Sequence, residues 1–444
     1  MQFGSDYGMT ADDVKLIDVG QLRIGLFVEL DMGWMSHPFP TGSFKLTNAQ
    51  QIAVIQALKV AQVRCIPSKS DPESLQLETP ADLGTPTLLT KYNPVEDARK
   101  QASLQAVAQR KQRAEQLASQ ARSLAACERR FGEAIRQYRK TLDLRQSQPL
   151  VAATDTVNMV SGFVREMMGD GESSIRLLSE AAGDKSSMHP VNVTIVSLLL
   201  GKAMGLSESE LVDLGVAAFL HDIGKSELPD RVRWHDESFS NAEYKAYQDH
   251  VAKGLHIGKS MALSKSALLA IAQHHELIDG SGFPSRLKGE SLSVAARILA
   301  LINRYDNLCN PSRVASSMTP HEALSLIFAQ LKTKFDASTL SAFIRMMGVY
   351  PPGSIVQLVD ERYGMVVSVN SARPLKPKVI VHESGVSRHE ALILDLEQTP
   401  GVSIRRSLKP ALLPPAPLEF LAPRQRVCYF FERVVDSQMQ EIAA

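Results

Sequence analysis

Hydrophobic residues recur at different spacings along the chain, and the spacing divides it into segments. Residues 14–66 mix short runs typical of strands with one helical stretch, Ala49–Val60, that Thr47 or Asn48 caps. This alternation predicts a small α/β module, which we place at residues 1–92.

A long helical linker is predicted for residues 93–168. From Pro94 to Arg145 only Gly132 interrupts a helix-forming composition, and most of the apolar residues are alanines. An excess of lysine and arginine along this stretch predicts a solvated helix, suited to pairing with another helix or with a second copy of the chain in a homodimer. Pro149 interrupts it, and a second helix follows to about Met168.

Residues 169–348 carry successive helical patterns, and we expect this segment to be all-α. Three of its helices begin with a capping box, in which a hydroxyl and a carboxylate satisfy free amide groups of the first turn. The pairs are Ser207 with Glu210, Ser240 with Glu243, and Thr319 with Glu322.

Alternating apolar and polar residues replace the helical pattern after Pro351 and Pro352. We expect strands over Ser354–Val359, Met365–Val369 and Lys378–His382, and therefore a small β-rich domain at 349–444. The fold class is then mainly α: a helical bundle with an α/β module and a linker before it and a β-rich domain after it.

Composition excludes several classes of protein. The 444 residues include 44% hydrophobic and 22% charged residues, and the 49 basic and 48 acidic residues leave a net charge of +1. These values are typical of a globular protein and exclude one that coats polymeric nucleic acid. The four cysteines are too widely spaced for a disulfide framework, and no apolar run reaches the length of a membrane span. The start has no signal-peptide pattern, so we expect a cytoplasmic location.

Histidines concentrate in one part of the chain, since seven of the eleven lie between His189 and His275. His221–Asp222 ends a predicted helix at Gly224, and His274–His275 ends another. His189, His250, Asn303 and Asp306 lie on further predicted helices. Ligands that converge from several helices are how helical bundles build dinuclear metal sites.

A structural interpretation stays open for each of these residues alone, because single histidines are often hydrogen-bonded core or surface residues. Burying a His-Asp or His-His pair without a metal ion is costly, however. Lys225, one turn beyond His221, and the glycine-rich turn that follows His275 add to the pattern. The combination favours a metal site.

The same segments resemble a known family. His221-Asp222-Ile223-Gly224-Lys225 and the stretch from His274 to Pro284, HHELIDGSGFP, look like the signatures of HD-GYP domains, bacterial phosphodiesterases that hydrolyse cyclic di-GMP. The resemblance covers about residues 185–345. Residues 14–66, with Trp34 and His37-Pro38-Phe39, resemble the module that often precedes such domains in signalling proteins.

This resemblance implies a metal-dependent phosphodiesterase that converts cyclic di-GMP to the linear dinucleotide, with GMP as a further product. Imidazole and carboxylate ligands without thiolates favour two divalent transition-metal ions, iron or manganese. We expect one ion at His189, His221, Asp222 and Asn303. We expect the other at Asp222, His250, His274 and His275.

The remaining expected site residues fall into two groups. Lys225 acts with His221 and Asp222 in catalysis, either by contacting the scissile phosphate or by protonating the leaving oxygen. A loop and the cations after it bind the substrate; these residues are Asp279, Gly280, Gly282, Phe283, Pro284, Arg286 and Lys288.

Three departures from the family pattern leave other functions open. Phe283 stands where the family has tyrosine, Lys185 stands where some members have a glutamate ligand, and Asn303 replaces the last aspartate ligand. Asp306 lies three residues on, near the same helix face as Asn303, and is a candidate to replace the lost aspartate ligand. The alternatives are a catalytically weakened receptor for cyclic di-GMP, acting through partner proteins, and an HD-type hydrolase of another nucleotide.

Overall fold

The computed structural model describes residues 14–30, 39, 42–58, 60–72, 94–169, 171–179, 185–236, 238–370 and 372–433, without the side chains of 94–100, 185 and 314. The expected fold class is confirmed: the described chain is mainly α, with two β-sheets. It forms two compact units, Met1–Pro94 and Val95–Ala444. Among the described helices, none is both long and apolar enough to cross a membrane.

The first unit is the small α/β module expected from the sequence. Its antiparallel sheet has the strand order β1-β4-β2-β3. The strands are β1 (Lys15–Asp18), β2 (Phe27–Glu29), β3 (Ser43–Lys45) and β4 (Gln62–Cys65). Asn48 caps helix α1 (Ala49–Ala57) by accepting a hydrogen bond from the amide of Gln51. Val28, Ile55 and Cys65 are fully buried in this unit's own core.

Part of the aromatic motif in this module lies outside the described residues, namely Trp34, His37 and Pro38. Phe39 is described. Its ring centre lies 4.4 Å from that of Phe44, and both rings pack against the core of the module.

Helix α2 (Pro94–Leu144) changes character along its length. Most residues from 101 to 126 are exposed, as expected of a solvated linker. The expectation is wrong for the last third, where Phe131, Ile135 and Tyr138 are buried. Their spacing of three to four residues places them on one helix face, which packs into the core of the second unit. Helix α3 (Pro149–Met168) follows, as predicted.

Eight helices build the bundle that follows. They are α4 (Lys185–Ala203), α5 (Glu208–Leu220), α6 (Asn241–Gln248), α7 (His250–Ser260), α8 (Lys265–Gln273), α9 (Val294–Cys309), α10 (Pro320–Gln330) and α11 (Ala337–Met347). All three predicted capping boxes are present, and they start α5, α6 and α10.

The expectation of an all-α segment at 169–348 is wrong at its beginning, because residues 173–177 form a strand in the second sheet. The strands of this sheet are β5 (Ser173–Leu177), β6 (Ile355–Leu358), β7 (Tyr363–Asn370), β8 (Lys378–Val381), β9 (Ile393–Asp395), β10 (Ile404–Leu408) and β11 (Tyr429–Arg433). Strand β5 lies between β7 and β11, antiparallel to both. All five of its residues are buried, so no alternation marks it in the sequence.

The β-rich segment shares its core with the bundle. Phe430 and Phe431 of β11 belong to the same buried cluster as Phe131 of α2 and Phe219 of α5. A short helix, α12 (Pro415–Leu421), precedes β11. The predicted boundaries at 168 and 348 therefore fall inside one compact unit.

Candidate metal centre and substrate cavity

The His221–Asp222 pair lies where α5 ends against α7. The chain continues beyond Asp222 as a tight 3-10 turn, Ile223–Glu227, and Gly224 does not end the helical path. The glycine is required because a Cβ at position 224 would lie 2.0 Å from the carbonyl oxygen of His250. The missing side chain lets the turn pack on the start of α7, which brings His250 next to Asp222.

Asp222 lies between two groups of histidines, one at each carboxylate oxygen. Its Oδ2 is 3.6 Å from Nε2 of His189 and 3.4 Å from Nε2 of His221. Its Oδ1 is 3.6 Å from Nε2 of His250 and 3.8 Å from Nε2 of His274. His275 completes the group at Oδ1. Within each group, the ligand atoms lie within 4.8 Å of one another.

We call these groups the first and second clusters. The first cluster is His189, His221 and Asp222, and the second is Asp222, His250, His274 and His275. The structure thus brings together the five histidines and the aspartate, Asp222, that were expected to bind the two ions.

Three of the histidines are oriented in the same way by their own helices. In each, Nδ1 bonds to the carbonyl oxygen of the residue three positions earlier, at 2.6–2.7 Å. The pairs are His221 with Ala218, His250 with Tyr247, and His274 with Ile271. A carbonyl only accepts, so the proton lies on Nδ1 and the lone pair of Nε2 faces Asp222.

His189 is oriented differently. Its Nδ1 lies 2.5 Å from Oδ2 of Asp306, a carboxylate on α9. Asp306 therefore faces the far side of the His189 ring from Asp222 and positions His189. The suggestion that Asp306 replaces the ligand lost at Asn303 does not fit this geometry.

The buried polar atoms of the clusters fit divalent metal ions. Oδ1 of Asp222 and Nε2 of His275 are buried without a hydrogen-bond partner in the described part of the chain. Such atoms are costly unless something else satisfies them. Neutral imidazoles and a carboxylate, without thiolate, form the donor set of a divalent transition-metal site.

The electrostatics favour the metal-binding protonation states. Burial lowers the pKa of His250 to about 3, and it also lowers the pKa of His274 and holds that of His275 well below its usual value. These imidazoles are therefore neutral. Burial alone would raise the pKa of Asp222, but the charge of Lys225 beside it holds that pKa well below its ordinary value, so Asp222 is a carboxylate.

Lys225 lies beside the same carboxylate, with Nζ 2.6 Å from Oδ2 of Asp222. Its ammonium also lies 5.4 Å from the ring centre of Trp234 and 5.3 Å from that of Tyr247. Burial disfavours the charge, but the Asp222 carboxylate outweighs it and raises the pKa of Lys225. A buried, charged ammonium is thus held at the metal centre.

The glycine loop is anchored by Glu276, a buried residue that was not among the expected site residues. Its carboxylate accepts hydrogen bonds from the amides of Ser285, Arg286 and Leu287 at 2.6–3.1 Å. A Cβ at Gly282 would lie 2.4 Å from the carbonyl oxygen of His275, so the loop folds tightly over the second cluster. Phe283 then stacks on His275, with ring centres 4.4 Å apart.

A cavity of about 670 Å³ opens above the centre. Lys225, His274, His275 and Asn303 line it, together with aromatic rings and cations. Asn303 is buried on α9, and its side-chain oxygen accepts a hydrogen bond from Asn307 at 2.7 Å.

Of the residues expected to bind substrate, Gly282 and Phe283 line the cavity, whereas Asp279, Gly280, Pro284, Arg286 and Lys288 are not among its lining residues. Glu276 binds the backbone at residue 286, and the side chains of Arg286 and Lys288 are exposed to solvent. The stem of Lys288 lies over Gly280, where a Cβ would be 2.5 Å from Cε.

Other cations, which no motif in the sequence marks, line the cavity in their place. They are Arg304, Arg313 and Lys334. Arg313 pairs with Asp236 at 2.8 Å, and Lys334 donates to the hydroxyl of Ser281 at 3.0 Å. Arg304 directly follows Asn303 on α9, and this adjacency is the signal in the sequence that could have indicated its place in the cavity lining.

Comparison with known proteins gives two family matches. Residues 175–339 match the HD domain family, and residues 14–156 match a domain of unknown function, DUF3391. The second match continues past residue 92, the predicted end of the N-terminal module, through α2 and into α3.

Three relatives are similar in sequence to this chain, one over most of its length and two over about a third of it. Cyclic di-GMP phosphodiesterase PA4108 of Pseudomonas aeruginosa is 26% identical over 84% of this chain and 86% of its own length. The cyclic di-GMP phosphodiesterase response regulator RpfG of Xanthomonas campestris is 32% identical over 34% of this chain and 40% of its own. The 3'3'-cGAMP-specific phosphodiesterase 3 of Vibrio cholerae is 25% identical over 39% and 37%, respectively.

The matched HD domain contains both clusters and the glycine loop, and an HD domain implies a divalent-metal site. The N-terminal match agrees with the module that the sequence resembles. The chain therefore carries an HD domain at residues 175–339 and, before it, a DUF3391 domain.

Proposed function

We propose that this chain is a metal-dependent phosphodiesterase that hydrolyses cyclic di-GMP to the linear dinucleotide, with GMP as a further product. The observation that carries the proposal is the position of Asp222, whose two oxygens each face a separate histidine group beneath the cavity. The names of two relatives, PA4108 and RpfG, support cyclic di-GMP as the substrate.

Two divalent ions, iron or manganese, would be held by the two clusters. His189, His221 and Asp222 would bind one, with Asn303 of the cavity wall as a further proposed ligand, and Asp222, His250, His274 and His275 would bind the other. Such ions, when bound, lower the pKa of a bound water and neutralise charge on the phosphate. Asn303 supplies a neutral amide oxygen to the first site, and this predicts weaker binding there.

Lys225 is the proposed general acid. Hydrolysis adds water to phosphorus and breaks the bond from phosphorus to the 3′ oxygen, which must take up a proton as it leaves. The ammonium of Lys225 is charged, buried and held 2.6 Å from Asp222, so it can donate that proton at the centre. His221 and Asp222 complete the catalytic group.

The cavity suits a compact dianion with two planar bases. Its volume of about 670 Å³ is in the range of ligand sites, and its lining combines four cations with aromatic rings. Arg304, Arg313 and Lys334 are placed to meet the second phosphate, and Trp234, Tyr244 and Phe283 offer faces for base stacking.

The test uses protein purified without oxygen and loaded with Fe²⁺ or Mn²⁺, incubated with cyclic di-GMP, and analysed by chromatography for the linear dinucleotide and GMP. We expect the linear product, and we expect its loss in the His221→Ala and Asp222→Ala variants. Equal turnover in these variants would contradict the assigned centre. Faster hydrolysis of 3'3'-cGAMP than of cyclic di-GMP would contradict the assigned substrate.

A second candidate function is a cyclic di-GMP receptor with little turnover, and Asn303 favours it. Its oxygen already accepts a bond from Asn307, and it carries no charge for an ion. Tight binding of cyclic di-GMP without product would support the receptor. An Asn303→Asp variant that then gains turnover would show that this residue weakens the enzyme.

Location and assembly are part of the proposal. The four cysteines are free and buried, which supports a reducing, cytoplasmic compartment. The exposed stretch of α2, residues 101–126, supports pairing with a second copy or a signalling partner.

A further inference from the structure

The outer side of the His189 ring lies against a hydrogen-bonded network that reaches the last strand. His189 and Asp306 are 3% and 2% exposed, and their contact of 2.5 Å joins α4 to α9. Oδ2 of Asp306 is used in this contact. Its other oxygen, Oδ1, is the start of the network.

Two asparagines bind that second oxygen. The side-chain amide of Asn192, three residues after His189 on α4, donates to Oδ1 of Asp306. The amide of Asn310, at the end of α9, donates to the same oxygen at 3.0 Å. The carboxylate of Asp306 is thus fixed on both sides.

The same two asparagines bind the backbone just before and at the start of β11. Both donate to the carbonyl oxygen of Val427, at 3.2 Å from Asn192 and 2.8 Å from Asn310. The oxygen of Asn310 accepts from the amide of Val427, and that of Asn192 accepts from the amide of Tyr429, both at 2.8 Å. Each NH₂ group therefore uses both of its protons, and neither amide can rotate without losing three hydrogen bonds.

The other side of this backbone segment is held by the second sheet. The carbonyl oxygen of Cys428 accepts a hydrogen bond from the amide of Leu178 at 2.9 Å, and β11 continues from there as the antiparallel neighbour of β5. Val427–Tyr429 is therefore held between the sheet and the helices that carry His189 and Asp306.

We propose that the segment Val427–Tyr429 positions the metal ligand His189, through Asn192, Asn310 and Asp306, and so sets the ion affinity of the first cluster. The inference rests on the metal centre of the proposed function. Groups that orient a metal-bound histidine typically change metal affinity 10- to 100-fold when they are removed. The second cluster has no member in this network, because His250 and His274 bond to their own helices.

The test is a titration of metal-free, full-length protein with Mn²⁺, with free Mn²⁺ followed by electron paramagnetic resonance. In Asn310→Ala we expect one of the two sites to weaken about 10- to 100-fold and the other to keep its affinity. The spectrum of two coupled ions should then appear only at higher Mn²⁺ concentrations. Asp306→Asn, which keeps the shape of the side chain, should weaken the same site if Asn310→Ala does not fold.

Tyr429→Phe is the matched control. It removes hydrogen bonds of the same strand to Tyr305 and to the carbonyl oxygen of Pro352, but leaves the backbone amide of Tyr429 on Asn192. We expect wild-type affinity at both sites. Unchanged binding in Asn310→Ala and Asp306→Asn, or equal weakening in Tyr429→Phe, would overturn the inference.

The proposed function fails separately. Wild-type protein that binds two Mn²⁺ ions, with only one site weakened in Asn310→Ala, supports the inference even if cyclic di-GMP is not hydrolysed. Wild-type protein that binds no ion overturns both.

Discussion

The two clusters around Asp222 are built in different ways. In the second cluster, His250 and His274 each bond to a carbonyl of the preceding turn, so local chain geometry orients the ligand. In the first cluster, His189 is oriented by Asp306, which is 117 residues away in the sequence. The first cluster therefore combines a locally oriented histidine, His221, with one, His189, whose orientation depends on how distant parts of the second unit pack.

Removing Asp222 should have the largest effect, because it belongs to both clusters. We expect Asp222→Ala to lose both ions and all hydrolysis of cyclic di-GMP, measured as metal content and product on the same sample. Asp213→Ala is the control on the same helix, α5. The carboxylate of Asp213 accepts a hydrogen bond from the hydroxyl of Ser264, but Asp213 belongs to neither cluster. Retention of one ion in Asp222→Ala would show that the clusters do not share this ligand.

A substitution at Lys225, whose ammonium contacts Oδ2 of Asp222, tests whether this lysine donates the proton to the leaving oxygen. We expect Lys225→Met to lower kcat about 10²- to 10⁴-fold, the usual contribution of general acid catalysis, while both ions stay bound. Lys253→Met, which removes an ion-pair partner of Glu227, should leave kcat unchanged. A rise in KM with unchanged kcat would instead assign Lys225 to substrate binding.

The second cluster also predicts a pH dependence for metal-free protein. His250 has its pKa lowered from 6.5 to about 3, so the unfolded chain binds the proton first as the pH falls. Its neutral form stabilises the fold fully above about pH 6.5, and this stability is lost progressively towards pH 3, by up to about 5 kcal/mol. Urea unfolding of chelated protein between pH 7 and 4 measures the slope.

His250→Asn should flatten that slope, whereas the same change at the exposed His256 should not. Equal slopes in the wild type and His250→Asn would contradict the neutral state of His250.

Removing the charge of Glu276, which anchors the glycine loop, should have the smallest effect of these changes. Glu276→Gln weakens the hydrogen bonds to the amides of residues 285–287, and we expect a loss of about 1.5–3 kcal/mol in the free energy of unfolding. Because Phe283 stacks on His275, KM for cyclic di-GMP should rise as well. Glu290→Gln, in the exposed chain nearby, is the control; an equal loss there would refute the anchor.

Local patterns predicted much of this molecule. The capping boxes, the helix ends that carry His221 and His274, and the glycine loop all depend on residues within a few positions of one another, and each is found where the sequence places it. The doublets His221–Asp222 and His274–His275 are of this kind, which is why these ligands could be proposed from motifs.

Features that depend on distant parts of the chain could not be predicted. Strand β5 is recognisable only beside β7 and β11, because its pairing partners are distant: Ser174 pairs with Asn370, and Leu177 pairs with Tyr429. Arg286 and Lys288 follow the loop in sequence, but Glu276 holds the backbone there, and Arg313 and Lys334 line the cavity instead. The role of Asp306 likewise depends on contacts across the fold.

The central claim is that Asp222 joins two ion sites. Anomalous diffraction from crystals of the Mn²⁺-loaded protein tests it most directly. We predict two manganese peaks about 3.5–4 Å apart, as in other two-metal sites. One peak should lie at Oδ2 with His189 and His221, and the other at Oδ1 with His250 and His274. A single peak, or two peaks of which one does not contact Asp222, would contradict the account.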